Sequence, residues 1–152
     1  MSTCLSCEIS SGRRAIEGGA IYETEHFHAH QDVAYPVPGL VIVASKRHFR
    51  SLLEMNEAEV LEFVPVVQRL RRAQEQIGIQ FVYYFYNEDT KHHFNFWMVP
   101  RYQWMAQFGK SIEAVRPALL HARNHMNSEE EVRAVTRTAA KLRADMSARP
   151  GR

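Results

Sequence analysis

The sequence predicts an α+β fold in which a five-stranded antiparallel sheet is flanked by one helix and followed by a C-terminal helical hairpin. Short segments rich in β-branched and aromatic residues occur between residues 21 and 99, and a single long segment with helical apolar spacing interrupts them. Beyond residue 104, apolar residues recur every three or four positions, as in amphipathic helices. These patterns predict strands first and helices later.

Five segments are predicted as strands. The Pro38-Gly39 turn precedes the third, and the polar stretch 87–91 separates the last two, which we expect to pair as a hairpin. The predicted strands are 21–22, 27–30, 40–44, 81–86 and 94–99.

The long helical segment begins after Asn56, which is placed to cap it with Glu59. It ends near Gly78, and Pro65 is expected to bend it. Its predicted apolar face consists of Val60, Leu61, Val64, Val67, Leu70 and Ile77.

The last part of the chain is predicted to form two helices over residues 111–148. Ser128 and Glu131 form a capping box for the second helix, so we place the turn near Asn127. No linker rich in Gly, Pro or Ser divides the chain. We therefore expect a main domain over 1–104 and a helical extension over 105–152, packed on that domain or on a dimer partner.

Composition narrows the classes of function. With 19 Lys and Arg against 17 Asp and Glu, the formal charge is only +2, which argues against nucleic acid as a partner. No apolar run reaches the roughly 20 residues of a membrane span, and Met1–Ser10 lacks the features of a signal peptide, so we expect a cytoplasmic protein without a membrane segment. Cys4 and Cys7 are the only cysteines, and their spacing favours a metal clip or a redox pair.

Two segments carry a resemblance to a known family. Residues 32–48 contain Asp32, a Pro-Gly turn, an apolar strand and Lys-Arg-His, and residues 93–101 end in Pro-Arg. This order resembles the histidine triad (HIT) family. The Cys-x-x-Cys start resembles bacterial members related to diadenosine polyphosphate hydrolases. The resemblance covers residues 4–104, and it implies a HIT-like fold that commonly dimerises into a continuous sheet.

The resemblance also shows what has changed. In the family, the middle histidine of a His-x-His-x-His strand attacks the α-phosphate of a nucleotide, and its neighbours assist. In this sequence only His93 remains, and Asn95 and Trp97 occupy the second and third positions. A carboxamide nitrogen has its lone pair delocalised and is not a nucleophile at neutral pH, and an indole has no exchangeable proton near pH 7.

The resemblance implies a structural zinc ion bound by Cys4, Cys7, His48 and His93, the positions that hold zinc in the bacterial members. Four protein ligands give a closed tetrahedral site without an open position for substrate. The alternative is an incidental pair of thiols near two surface histidines. A thioredoxin-like redox pair is less favoured, because no strand precedes the motif.

The resemblance implies a nucleotide pocket formed by Asp32, Asn87, Asn95 and Trp97. Asp32 would accept hydrogen bonds from ribose hydroxyls, although an Asp at this position also suits a turn. Asn87 precedes a loop, 88–92, that contains no glycine and carries two acids, so its backbone is poorly suited to wrap a phosphate.

A second histidine pattern, His26-x-His28-x-His30, matches the letters of a triad but lies on an earlier strand. Alternation predicts three imidazoles on one solvated or partly pocket-facing side, with Phe27 and Ala29 towards the core. We interpret this pattern as a decoy and not as a second metal site.

The sequence therefore predicts a HIT-like protein that binds a purine nucleotide or related phosphorylated small molecule, forms a homodimer and lacks the usual hydrolase chemistry. One alternative is a nucleoside phosphate or dinucleoside polyphosphate hydrolase with His92, or one of His26, His28 and His30, as base. A third possibility is a non-catalytic interaction module that works through the C-terminal helices.

Overall fold

The computed structural model describes residues 4–90 and 92–148. Its strands are β1 (Ala20–Glu23), β2 (Phe27–His30), β3 (Val41–Ser45), β4 (Val82–Phe85) and β5 (Asn95–Pro100). Its α-helices are α1 (Leu5–Ser10), α2 (Glu57–Gln76), α3 (Val115–His125) and α4 (Glu129–Ala148). Three short 3-10 turns cover Leu52–Glu54, Gln103–Phe108 and Ser111–Ala114.

The strands form one five-stranded antiparallel sheet in the order β1-β2-β3-β5-β4, which confirms the predicted α+β class. The Pro38-Gly39 turn before β3 places Gly39 at φ 83°, a left-handed conformation that glycine adopts without steric cost. The sheet pairing places β3 between β2 and β5, so residues of the two histidine-bearing segments lie in common rows across the sheet. One row contains His28, Ala44 and Asn95.

Each face of the sheet carries its own apolar core. On one face, Phe27, Ala29 and Val43 pack with residues of α2 and α4. On the other face, Ile42 and Val99 pack with residues of α3. Because successive side chains of a strand point to opposite faces, β3 contributes to both cores.

Helix α2 begins as predicted, with a capping box between Asn56 and Glu59, and it contains Pro65. The predicted apolar face is wrong in part. Its buried apolar residues are Val66, Leu70 and Ala73, whereas Val60, Leu61 and Val64 are 54%, 69% and 55% exposed. The exposed group lies elsewhere on the helix circumference, because residues three or four apart share a face and residues 60 and 66 do not.

The two predicted C-terminal helices are present, and the Ser128–Glu131 box begins α4. They separate after the turn at residues 126–128. α4 packs against β1 and α2, and α3 packs on the opposite face of the sheet. Within the described residues, no helix has both the length and the apolar character needed to cross a membrane. The division at residue 104 stays a prediction.

Candidate metal cluster and adjoining cavity

Four side chains predicted as metal ligands converge between α1, the end of β3 and the start of β5. One ligand atom from each of Cys4, Cys7, His48 and His93 lies within 4.8 Å of all the others. His93 Nδ1 is 3.3 Å from Cys4 Sγ, 3.5 Å from Cys7 Sγ and 3.2 Å from His48 Nδ1. Cys7 Sγ is 3.4 Å from His48 Nδ1.

These distances fit the edges of a metal tetrahedron. Nitrogen ligands at about 2.1 Å and sulfur ligands at about 2.3 Å from a zinc ion lie about 3.4 to 3.8 Å from one another. His93 Nε2 lies 2.7 Å from the backbone oxygen of Ser45, so Nε2 carries the proton and the Nδ1 lone pair faces the cluster. Burial lowers the pKa of His93, which keeps this imidazole neutral, as a metal ligand must be.

The two thiols have different surroundings. Burial opposes ionisation of Cys4, but hydrogen bonds from the backbone of Cys7 and His93 outweigh it and lower the pKa of Cys4. Burial and the neighbouring Cys4 raise the pKa of Cys7. A cation between the sulfurs would remove that repulsion, because a coordinated thiol is deprotonated by the metal.

A cavity of about 330 Å³ adjoins the cluster, and all four predicted nucleotide-site residues line it. Asp32 follows β2, Asn87 follows β4, and Asn95 and Trp97 lie on β5. Helix α1 contributes Leu5 and Ser6, which lie between the two cysteines in the sequence. The metal cluster and the cavity therefore share a wall.

The side chains of Asn95 and Trp97 are hydrogen-bonded to each other. The Trp97 indole N–H donates to Asn95 Oδ1 at 2.8 Å, and Asn95 Nδ2 donates to the His93 carbonyl at 2.9 Å. Because an indole only donates, the acceptor must be the carboxamide oxygen, which fixes the orientation of the amide. Trp97 also stacks on Phe85, with ring centroids 5.3 Å apart, and meets Tyr35 edge-on.

Asp32 forms the turn considered from the sequence and also lies at the cavity, while its contact with ribose hydroxyls stays a prediction. Its Oδ1 accepts a hydrogen bond from the Ala34 amide at 2.9 Å, which forms a local turn, and its half-buried side chain also lines the cavity. Asn87 lies at the exposed rim. His92 and Thr90 line the cavity too, and Lys91 lies outside the described residues.

Comparisons with known proteins agree with this geometry. No family model matches the chain. An uncharacterised HIT-like protein of Methanocaldococcus jannaschii is 26% identical over 106 residues, which cover 66% of this chain and 80% of that protein. The structure matches that of a zinc-bound histidine triad family protein from Mycobacterium smegmatis, with a TM-score of 0.66 and 21% identity over 95% of this chain and 94% of that one. The chain belongs to the histidine triad superfamily.

A further match lies with a hypothetical histidine triad nucleotide-binding protein from Sulfolobus tokodaii, with a TM-score of 0.65 and 20% identity over 95% of this chain and 92% of that one. Both structural matches span nearly the whole chain, so the structural likeness to histidine triad proteins extends past residue 104, where the sequence resemblance ends.

The histidine-rich segment of this histidine triad protein differs from the prediction. Strand β2 begins at Phe27, so His26 lies in a bend, with its Nδ1 3.2 Å from Glu62 Oε2. His28 and His30 are buried and not solvated, and their rings stack at 5.3 Å. Of the two predicted alternatives, the solvated face is wrong for these two residues, and the pocket-facing surface agrees with the structure, because each of them lines a cavity.

Burial lowers the pKa of both His28 and His30 to about 4, so both rings are neutral at pH 7. His30 lines the cavity beside Trp97, whereas His28 lines a separate cavity of about 370 Å³ near β1. Neither nitrogen of His28 has a hydrogen-bond partner among the described residues. Although residues 26–30 have the His-x-His-x-His pattern, their three imidazoles therefore do not form one group.

Among the residues of the cavity wall that sequence reasoning missed are Tyr35 and Arg116. Tyr35 packs against Trp97, and its position after Asp32 offered only a weak signal. Arg116 comes from α3, in the part of the chain that the sequence resemblance does not cover. Only the packing of α3 on the sheet brings Arg116 to the site.

Proposed function

We propose that this histidine triad protein binds a purine nucleotide or a related phosphorylated small molecule in the cavity and does not cleave it through a covalent intermediate. The observation that carries the proposal is the bonding of Asn95. Its oxygen is engaged by Trp97 and its nitrogen by the His93 carbonyl, and neither atom is a nucleophile at neutral pH. The position of the family's reactive histidine is thus chemically inert.

The cavity retains features suited to binding. One carboxylate oxygen of Asp32 holds the local turn, which leaves the other for ligand hydroxyls. The stacked pair of Trp97 and Phe85 provides an aromatic wall next to Tyr35. The Sulfolobus tokodaii protein of similar fold is described as nucleotide-binding, which supports the same class of ligand here.

A thermal-shift titration with adenosine, AMP, ADP and diadenosine tetraphosphate tests binding, since a ligand of the folded state raises the unfolding temperature. The matched variants are Asp32→Asn, which keeps an oxygen for the Ala34 amide, and Asp89→Asn in the exposed neighbouring loop. We expect stabilisation of wild type and Asp89→Asn, and a weaker effect in Asp32→Asn. No shift with any of the four compounds would reject the binding proposal.

Turnover of the same compounds distinguishes the enzyme alternative. His30 and His92 line the cavity, but a pKa of about 4 makes His30 a weak general base at pH 7. We expect no cleavage. Cleavage that disappears in His92→Gln would establish the hydrolase alternative, and neither binding nor cleavage would favour the interaction module.

We further propose that Cys4, Cys7, His48 and His93 hold one structural zinc ion. Two thiolates and two imidazoles form a zinc donor set, and the Ser45 carbonyl orients His93. When bound, the ion would fix α1 against the sheet, because the two cysteines belong to the α1 segment and the two histidines lie next to β3 and β5. Four protein ligands would leave no position for substrate. The zinc-bound protein from Mycobacterium smegmatis, which has the same fold, supports the choice of metal.

A homodimer is proposed through the β4 edge of the sheet. β4 is an outer strand, and Tyr84 on it is 43% exposed. Tyr84 stacks on Phe96, which contacts Phe63 of α2, and α2 also exposes Val60, Leu61 and Val64. A second copy would continue the sheet and cover both surfaces.

The oligomeric state is measured by light scattering of Leu61→Glu and of Lys141→Glu, an exposed control on α4. We expect a dimeric wild type and control and a monomeric Leu61→Glu. A monomeric wild type at micromolar concentration would contradict the dimer.

A further inference from the structure

The permanent charges of the cavity are arranged asymmetrically. Among the described residues that line it, Asp32 is the one permanent anion and Arg116 the one permanent cation. No described acid lies within 4.0 Å of the Arg116 guanidinium. An arginine beside a concave site without an acidic partner is available for an anionic ligand group.

Helix α3 gives Arg116 a fixed base. Its neighbours Val115, Ala118 and Leu119 are at most 4% exposed and pack in the second apolar core, while Arg116 itself is exposed. The backbone that carries the guanidinium is therefore anchored to the sheet. The side chain needs only rotamer freedom to reach a ligand.

Asn95 adds a second, independent feature that favours a ligand group able to accept a hydrogen bond. Its oxygen is taken by the Trp97 N–H, and one Nδ2 hydrogen goes to the His93 carbonyl. The other Nδ2 hydrogen has no acceptor among the described residues, and Asn95 lines the same cavity as Arg116. The fixed amide thus has one N–H donor free for the ligand.

The described residues of the 88–92 loop do not supply these contacts. The loop contains no glycine, so its backbone is poorly suited to curl around an anion. Glu88 is acidic and accepts hydrogen bonds from Ser51 Oγ at 3.0 Å and Tyr86 Oη at 2.8 Å. Among the described residues that line the cavity, the permanent cation comes from α3.

We propose that Arg116 of α3, together with the remaining Nδ2 hydrogen of Asn95, forms an oxyanion subsite that selects phosphorylated ligands over free nucleosides. The inference rests on the proposed nucleotide-binding function and assigns a role to each of the two charged residues of the cavity. Asp32 receives the hydroxyl-bearing part of the ligand, and Arg116 receives the phosphate.

Isothermal titration of full-length, zinc-loaded protein with AMP, adenosine and inorganic pyrophosphate tests the subsite. Arg116→Gln removes the charge, and Arg137→Gln removes the same charge from an exposed position of α4, on the other face of the sheet. We expect wild type and Arg137→Gln to bind AMP more tightly than adenosine. In Arg116→Gln, AMP affinity should fall about 10- to 100-fold and adenosine affinity should not change, as expected for one charge-assisted contact.

Pyrophosphate gives a reading that does not depend on the nucleoside half of the cavity. Weak binding by wild type that disappears in Arg116→Gln and persists in Arg137→Gln supports the subsite. Equal AMP affinity in the two variants would overturn the subsite and leave the proposed function standing. Failure of wild type to bind either AMP or adenosine would remove the proposed function, and the inference with it.

Discussion

The metal cluster, which includes His93, and strand β5, which begins two residues later at Asn95, have opposite chemical character. His93 has Nε2 on the Ser45 carbonyl and Nδ1 among the sulfurs of a complete donor set. The side chains of Asn95 and Trp97 form a hydrogen bond with each other and offer no nucleophile. The comparison teaches that neighbouring residues of one segment can retain a candidate metal ligand while the residues that would perform the family's chemistry have changed.

The two regions are nevertheless connected through α1. Cys4 and Cys7 belong to the cluster, whereas Leu5 and Ser6, between them, line the cavity. A metal that holds both cysteines therefore also holds a wall of the binding site. Experiments on one region should report on the other.

Breaking the cluster should have the largest effect. In the Cys4→Ser/Cys7→Ser variant we expect loss of bound zinc, a fall in unfolding temperature of about 10 °C or more, and weaker AMP binding, because a structural metal contributes directly to folding. Elemental analysis and thermal unfolding measure these quantities. His125→Asn, at an exposed histidine of α3 outside both the cluster and the cavity lining, is the control. A metal-free wild type, or a double variant as stable as wild type, would contradict the cluster.

Residues 105–152 can be tested by removing packing from α4. Leu142 is fully buried in the core shared with β2, β3 and α2. We expect Leu142→Ala to lower the free energy of unfolding by about 2 to 5 kcal/mol in a single cooperative transition, with little change in Lys141→Ala. Two separate transitions by chemical denaturation would show instead that the C-terminal helices unfold as an independent extension.

His28 should show the cost of a buried group without a partner. Replacing it with leucine removes two unpartnered nitrogens, and we expect a gain of about 1 to 2 kcal/mol at pH 7. AMP binding should be unchanged, because His28 lies outside the nucleotide cavity. Urea denaturation of His28→Leu and of the exposed control His125→Gln measures the effect. Destabilisation by His28→Leu would mean that His28 has a partner.

The same variant also tests how the free energy of unfolding depends on pH. Burial, followed by the charges of His30, His93 and Lys46, lowers the pKa of His28 from 6.5 to about 4, and Glu23 opposes this shift. Below pH 6.5 the unfolded chain binds a proton that folded His28 does not, so stability falls as the pH falls towards 4. Between pH 7 and pH 5 the gain from His28→Leu should grow by about 2 kcal/mol. A gain independent of pH would contradict the lowered pKa.

Restoring the triad should have the smallest effect on activity. Asn95→His alone leaves Trp97 packed between Phe85 and Tyr35 and leaves the 88–92 loop without glycine. We expect little or no turnover of diadenosine tetraphosphate by Asn95→His, measured as kcat/KM, and only partial recovery of the family's activity in Asn95→His/Trp97→His, since catalytic groups act as a unit. Full activity in the single variant would show that the rest of the site is intact.

Local patterns predicted the parts of the molecule that local physics determines. The capping boxes at Asn56 and Ser128 and the positions of five strands follow from short-range hydrogen bonding and alternation. The burial of His28 and His30 does not, because it depends on which segments cover the sheet. The placement of Arg116 likewise depends on α3 crossing to the cavity face.

The outcome at the candidate site has the same cause. The family resemblance identified the four convergent ligand positions and the four residues that line the cavity, since both sets lie in matched segments. It offered no information on the hydrogen bond between Asn95 and Trp97, which exists only in a chain with both replacements. That bond turns two separate substitutions into one fixed structural unit.

A single-turnover experiment with diadenosine tetraphosphate labelled at the α-phosphate tests the central claim most directly. Zinc-loaded wild-type protein in excess over the label is sampled for retained ligand, cleaved product and label covalently attached to the chain. We predict retained, intact ligand and no covalent adduct. Cleavage through an adduct that disappears in Asn95→Ala would contradict the claim that this histidine triad protein binds its ligand without the family's covalent chemistry.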